Sequence, residues 1–218
     1  MGELQFKKLT SSKKEPKIVE EMTERVKNLK PVSIKGITIQ TNSIFIHGKK
    51  SEVEFNYCGR ITRRELGDII FILSVVYNGK KYFEKLTINQ VKKSKKSKSV
   101  SWSFSGASNK EQLYLLSRFP TFKGVGSLIP QKHYNLPNFS GCLGTHGLLY
   151  PPGDFAIISS KKLEDFLLSS NRKTIQLNDL GRLNTLQTTI CPCYLPIYNI
   201  EDCIYIFRDI LRYFWRFY

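Results

Sequence analysis

One hairpin constrains this chain more than any other feature of its sequence. Ile69 to Tyr77 is a nearly continuous apolar and β-branched run, as expected of a strand covered on both faces. Asn78-Gly79 follows, the dipeptide best suited to a tight two-residue turn. A return strand from about Tyr82 to Lys92 completes an antiparallel pair. The residues farthest from the turn therefore meet at its open end: Asp68 before the first strand, Gln90 and Lys92 near the end of the second. Side chains alternate with a period of two, so Gln90 and Lys92 project from the same face.

Around this hairpin the pattern alternates between helix and strand. Ile18, Met22, Val26 and Leu29 recur at helical spacing behind Pro16, and Pro31 ends that helix. Short alternating runs at 37–39, 44–46 and 53–55 predict strands, with His47-Gly48-Lys49-Lys50 as a turn. Ser108 to Glu111 fits a capping box opening a helix through Leu113 and Leu116, stopped by Pro120. Trp102 and Phe104 are expected in the core. Residues 120–153, rich in Gly, Pro, Asn and aromatics, are unusually long for a plain loop, a segment that could cover a site or read DNA sequence. The pattern ends with a strand at 155–158, a short helix over 161–168 and an amphipathic helix over 200–218. The expected division is a basic flexible arm (1–15), a core (16–122), and a C-terminal part of the same domain or small accessory lobe (123–218). The fold class is α/β.

The charge is lopsided: 34 Lys and Arg against 18 Asp and Glu give a formal net charge of +16. Such a field attracts polyanions, and nucleic acid is the expected partner. Five cysteines at irregular spacings suit a reducing compartment better than a disulfide framework. With no signal-like apolar core at Met1–Phe6 and no run near the ~18 apolar residues of a membrane span, the expectation is a cytoplasmic protein without membrane association. No phosphate-binding Gly-x-x-x-x-Gly-Lys loop is present, which argues against ATP use.

A carboxylate, a second oxygen donor and a lysine at one strand end can hold a divalent cation against a phosphodiester. A hard ion such as Mg²⁺ takes a few oxygen ligands while keeping waters. The lysine orients or deprotonates the attacking water, or stabilises the phosphorane-like transition state. Asp68 with Gln90-Val91-Lys92 resembles the signature of the PD-(D/E)xK nuclease superfamily, which includes many restriction endonucleases; Gln in place of the usual acid is similar to the Mrr-type variant. The phrases Glu65-Leu66-Gly67-Asp68, Gln112-Leu113-Tyr114 and Arg118-Phe119-Pro120-x-Phe122 extend the resemblance over residues 44–122. Gly67 stands where the superfamily name has Pro, and Gln90 removes a negative charge, weakening the hold on a second metal.

The resemblance implies a restriction-endonuclease-like mixed central sheet flanked by helices. It also implies Mg²⁺- or Mn²⁺-dependent hydrolysis of DNA phosphodiester bonds, in restriction or defence against foreign DNA. Asp68 and Gln90 would be metal ligands and Lys92 the catalytic lysine. Many members add an acid from an upstream helix; among Glu20, Glu21 and Glu24, Glu21 lies nearest the apolar face, and Glu65 is a slightly favoured rival. Lys93, Lys95, Lys96 and Lys98 could neutralise phosphates beside the site. Arg208 and Arg212, on the basic stripe of the C-terminal helix, could track a phosphate backbone. Aromatics on that helix leave apolar surface for a homodimer contact or a partner subunit of a defence system. The competing reading is a non-catalytic nucleic-acid-binding module on the same fold. Cys142 with His146, and Cys191-Pro192-Cys193, lack the spacing of a zinc site; His47, His133 and His146 read as structural or loop residues.

Overall fold

The structure is a computed structural model that describes residues 14–94, 100–136, 143–150 and 154–181. The elements run α1 (Glu15–Lys27), β1 (Val32–Ile34), β2 (Ile37–Phe45), β3 (Glu52–Tyr57), β4 (Arg60–Glu65), β5 (Ile69–Tyr77) and β6 (Lys80–Lys93). They continue with β7 (Ser101–Ser103), α2 (Ala107–Arg118), β8 (Phe122–Gly124), β9 (His133–Tyr134), β10 (Gly144–Tyr150), β11 (Asp154–Ser159), α3 (Ser160–Ser169) and β12 (Thr174–Gln176). No helix among the described residues is long and apolar enough to cross a membrane.

The hairpin lies at the centre of a six-stranded mixed sheet ordered β1-β2-β5-β6-β10-β11. Asn78 and Gly79 both adopt positive φ (46° and 77°), the conformation their types tolerate in a turn. Only β10 runs parallel to its neighbour β6; the other pairings of this sheet are antiparallel. A register shift between Val75 and Val76 absorbs the unequal strand lengths and leaves Ile69 opposite Asn89. Asp68 consequently falls opposite Gln90. β10 and β11 lie past residue 122 yet complete this sheet.

Alternation sorts the side chains onto two faces. Ile69, Val91, Leu149 and Phe155 pack beneath Ile18, Val19 and Met22 of α1. On the opposite face Ile88 packs with Leu115 and Leu116 of α2, and Leu148 with Leu163 of α3. Gln90 and Lys92 share that second face, and so does His146, the register partner of Gln90 on β10. The arrangement is α/β, a mixed central sheet flanked by helices. Cover over β5 is incomplete: Ile69 is fully buried, whereas Ile70 to Val76 are only half-buried. The near-continuous apolar run therefore does not mark a strand shielded on both sides along its whole length.

Two local expectations are corrected. The 37–39 and 44–46 runs are one continuous strand, β2. The Ser108–Glu111 capping box does not form, because α2 starts at Ala107 without a side-chain cap. Residues 120–153, unusually long for a plain loop, contain strands: β8 and β9 extend β3 and β4 into a four-stranded antiparallel sheet ordered β4-β3-β8-β9, and β10 joins the central sheet. Trp102 and Phe104 are buried, as expected.

Glu111 instead turns inward from α2 beneath β4. It is nearly fully buried and is neutralised by Arg60 (3.1 Å) and by Arg64, with Thr62 Oγ1 donating at 3.2 Å. These partners tie the second sheet to α2.

Candidate metal centre

Asp68 sits where β2 ends, β5 begins and β6 passes alongside. Asp68 N donates to Asn89 O at 2.8 Å, and Ile46 N donates to Asp68 O at 2.9 Å, so both neighbouring strands hold its backbone. Gly67 permits this approach: a Cβ there would lie 2.8 Å from Ile88 Cγ2 and 3.1 Å from Asn89 O. The carboxylate is 0% exposed. Val91 N donates to its Oδ2 at 2.7 Å and Gln90 Nε2 donates to the same oxygen at 2.5 Å. A carboxylate only accepts, so the nitrogen of the Gln90 amide must face it. The other end of that amide, Oε1, is buried without a hydrogen-bond partner.

The second carboxylate oxygen, Oδ1, lies 2.6 Å from His47 Nδ1, which is also 3.4 Å from Glu65 Oε2. One ligand atom each from His47, Glu65 and Asp68 falls within 4.8 Å of the others. The hydrogen bond to Asp68 is the main cause that raises the His47 pKa above its usual value; burial opposes it, and the charges of Asp68, Glu65 and Glu15 reinforce it. The sequence reading left His47 as a structural or loop histidine. His47 does lie on the loop after β2, and the β2–β5 register, with Phe45 opposite Ile69, brings that loop beside Asp68.

On α1, Glu15 is near enough to Asp68 for their charges to interact. Glu15 Oε2 accepts from Lys93 N at 3.0 Å. Burial pushes its carboxyl pKa up and the charge of Asp68 adds to this, against the Lys93 hydrogen bond and the charges of Lys92 and His47. Glu21 lies six residues further along α1, about 9 Å along the helix axis. Glu20 pairs with Lys17 at 2.8 Å, and Glu24 stands 3.9 Å from Lys27.

Lys92 extends from the Gln90 face and donates to Asn109 Oδ1 at 2.8 Å. Asn109 Nδ2 donates in turn to Ser103 O at 3.1 Å, which fixes the amide with its oxygen toward the lysine. Asn109 thus positions Lys92, a role invisible in a residue expected to open a helix. His146 is fully buried, its Nδ1 is 2.9 Å from Ser160 Oγ, and its Nε2 has no partner. Burial first, and the Lys92 charge second, lower its pKa to about 3.

No family model, curated protein or solved structure matches this chain.

Two carboxylates and an imidazole converge, and a buried amide oxygen waits beside them without a donor. Carboxylate and amide oxygens suit Mg²⁺ and Mn²⁺, and the imidazole adds affinity for transition ions such as Mn²⁺. The residues present could hold a metal ion. Asp68, Gln90, Glu65 and Lys92 are gathered at one end of the sheet. Lys93 lies at the end of β6, its backbone held by Glu15. Lys95, Lys96, Lys98, Cys142, Cys191, Cys193, Arg208 and Arg212 lie outside the described residues. His133 is exposed on β9, opposite Lys123 of β8.

Proposed function

We propose that this protein is a divalent-metal-dependent endonuclease that hydrolyses DNA phosphodiester bonds on a restriction-endonuclease-like fold. The observation that carries the reading is the fully buried Asp68 carboxylate, which meets Glu65, His47 and Gln90 at the strand end that also bears Lys92. A structural carboxylate buried this deeply is normally matched by a permanent cation. Here its partners are an imidazole, an amide and one backbone N–H, and each can be exchanged for a metal ion.

A divalent cation bound there supplies charge neutralisation at the phosphate and an acidified water. Asp68 and Glu65 supply the negative charge that holds it, and the Gln90 amide oxygen adds a neutral donor. Lys92, aimed by Asn109, places a positive charge where the pentavalent phosphate develops negative charge. The formal net charge of +16 favours long-range capture of DNA. Protection of the cell from foreign DNA is the biological setting the reading suggests.

A second reading has one observation in its favour. Gln90 donates to Asp68 and His47 lies against it, so the carboxylate is satisfied without a metal; the same fold could then hold nucleic acid without cutting it. Cleavage of supercoiled plasmid with Mg²⁺ or Mn²⁺ separates the two. Metal-dependent nicking that EDTA, Asp68→Ala and Lys92→Ala each abolish establishes the nuclease. Tight, salt-sensitive DNA binding with no cleavage establishes the binding module.

A further inference from the structure

Among the described residues, four buried side-chain polar atoms lack a hydrogen-bond partner: Arg64 Nε, Asn89 Oδ1, Gln90 Oε1 and His146 Nε2. Leaving such a group unpaired costs on the order of 1–3 kcal/mol, so each needs an explanation. Two of them belong to residues directly opposite each other on paired strands, Gln90 on β6 and His146 on β10. Paired residues of parallel strands point to the same face. Asn89 points to the other face, where its Nδ2 donates to Thr145 Oγ1, and Arg64 serves Glu111.

The orientation of the Gln90 amide explains the pairing of orphans. As the structure stands, Nε2 faces Asp68 and Oε1 faces nothing. Turning the amide over would present Oε1 to a cation held by Asp68. The amide N–H groups would then need an acceptor. Among the described residues, the orphaned buried acceptor remaining on this face is His146 Nε2. The His146 imidazole is fully buried, and a neutral imidazole offers one ring nitrogen as an acceptor. Nδ1 lies 2.9 Å from Ser160 Oγ; in the tautomer in which Nδ1–H donates to that hydroxyl, the lone pair is on Nε2.

We propose that His146 is a positioning residue for the cation site: its Nε2 accepts from the turned Gln90 amide and so holds the amide oxygen toward the metal. Ser160, accepting from Nδ1–H in that tautomer, completes a chain from α3 through β10 to the metal ligand. The inference rests on reading Asp68 and Gln90 as metal ligands. It explains how a glutamine can serve where an acid would be simpler, because an amide binds a cation well only if its other end is satisfied.

The test is a double-mutant cycle read by Mn²⁺ affinity on the full chain, using Mn²⁺ alone as probe and paramagnetic resonance to count free ion. His146→Leu is expected to weaken Mn²⁺ binding about 10- to 100-fold, the usual cost of losing a group that orients a ligand. In a Gln90→Glu background the same change is expected to cost less than about threefold, since a carboxylate needs no N–H acceptor. Equal losses in both backgrounds would mean general damage and overturn the proposal. Failure of the unmodified protein to bind Mn²⁺ would overturn the metal-site reading itself, and this proposal with it.

Should His146→Leu not fold, Ser160→Ala takes its place in the cycle, with a smaller loss expected in the same direction. Nitrogen NMR of the histidine ring gives an independent reading on the unmodified chain. On addition of Mg²⁺, Nε2 is expected to stay unprotonated and to shift as it gains a donor. A protonated Nε2 in the Mg²⁺-loaded protein contradicts the proposal.

Discussion

Asp68 and Glu111 are both buried carboxylates, yet the molecule satisfies them by opposite means. Glu111 faces Arg60, Arg64 and the Thr62 hydroxyl; guanidinium groups stay charged at any ordinary pH, so its neutralisation is permanent. Asp68 faces a histidine, an amide and a backbone N–H. None of these carries a fixed charge, and the amide has an end left unsatisfied. The first acid is built as a tie between α2 and the second sheet. The second, with His47 and Glu65 beside it, belongs to a group that could hold a metal ion.

The largest expected effect separates the two on function. Asp68→Asn keeps the shape of the side chain but removes the charge that would anchor the cation. Losing several kcal/mol of transition-state stabilisation should reduce plasmid cleavage by about 10³-fold or more. Stability should change by no more than about 1 kcal/mol in urea unfolding, because a buried charge without a permanent counter-charge contributes little net stability. A severe loss of stability together with activity would place Asp68 beside Glu111 as a structural acid.

Glu111→Gln should invert that pattern. Arg64, whose side chain is only 30% exposed, would lose its counter-charge inside the interface. The expected cost is about 2–3 kcal/mol, below the figure for fully buried pairs because Arg60 is largely solvated. Mn²⁺ affinity should stay within about twofold. A large loss of affinity without a loss of stability would extend the functional site to this second cluster.

What the sequence disclosed follows the same divide between near and distant contacts. Asp68, Gln90 and Lys92 were legible because one turn and one period of two bring them together, and Asn78-Gly79 set that turn unambiguously. His47 and Glu15 were not legible. They reach the site through the β2–β5 register and the docking of α1, and no local pattern encodes either. β4 was not legible because Ile61 is the lone apolar residue in a charged run from Arg60 to Glu65, although Thr62 and Arg64 meet Glu111, as does the largely solvated Arg60. β8 and β9 escaped because strands of three and two residues leave no periodicity among glycines and prolines. The nuclease chemistry itself rests on the resemblance of a short signature and on the geometry around Asp68.

The two interior histidines give pH dependences of opposite sign. His146 has a folded-state pKa lowered to about 3, against an ordinary value near 6.5. Its contribution to stability is present above the ordinary value. It is lost as pH falls from there toward about 3, because the unfolded chain takes up the proton first. The loss should approach about 1.4 kcal/mol per pH unit at its steepest. A chain carrying His146→Leu should lose this acid sensitivity, whatever its stability at neutral pH. Unchanged acid sensitivity in that variant would trace the effect to other groups.

His47 should produce the smallest effect, and the one most specific to the site. Its folded-state pKa is raised, chiefly by the hydrogen bond to Asp68. Its contribution to stability is therefore full below the ordinary histidine value and is lost as pH rises through the raised one. A cation at Asp68 must displace the Nδ1 proton, so the metal and the proton compete for the same place. Apparent Mn²⁺ affinity should rise with pH, by at most about tenfold per unit, and level off above the raised pKa. His47→Gln should flatten that rise while leaving measurable binding by Asp68 and Glu65. If the pH dependence survives His47→Gln, the competing proton sits elsewhere, and Glu15, raised by its burial, is the next group to replace. The metal-free protein should meanwhile lose stability over the same rise in pH in which Mn²⁺ affinity increases. Those opposed slopes, read by unfolding with and without Mn²⁺, mark a proton that holds the site closed until a cation replaces it.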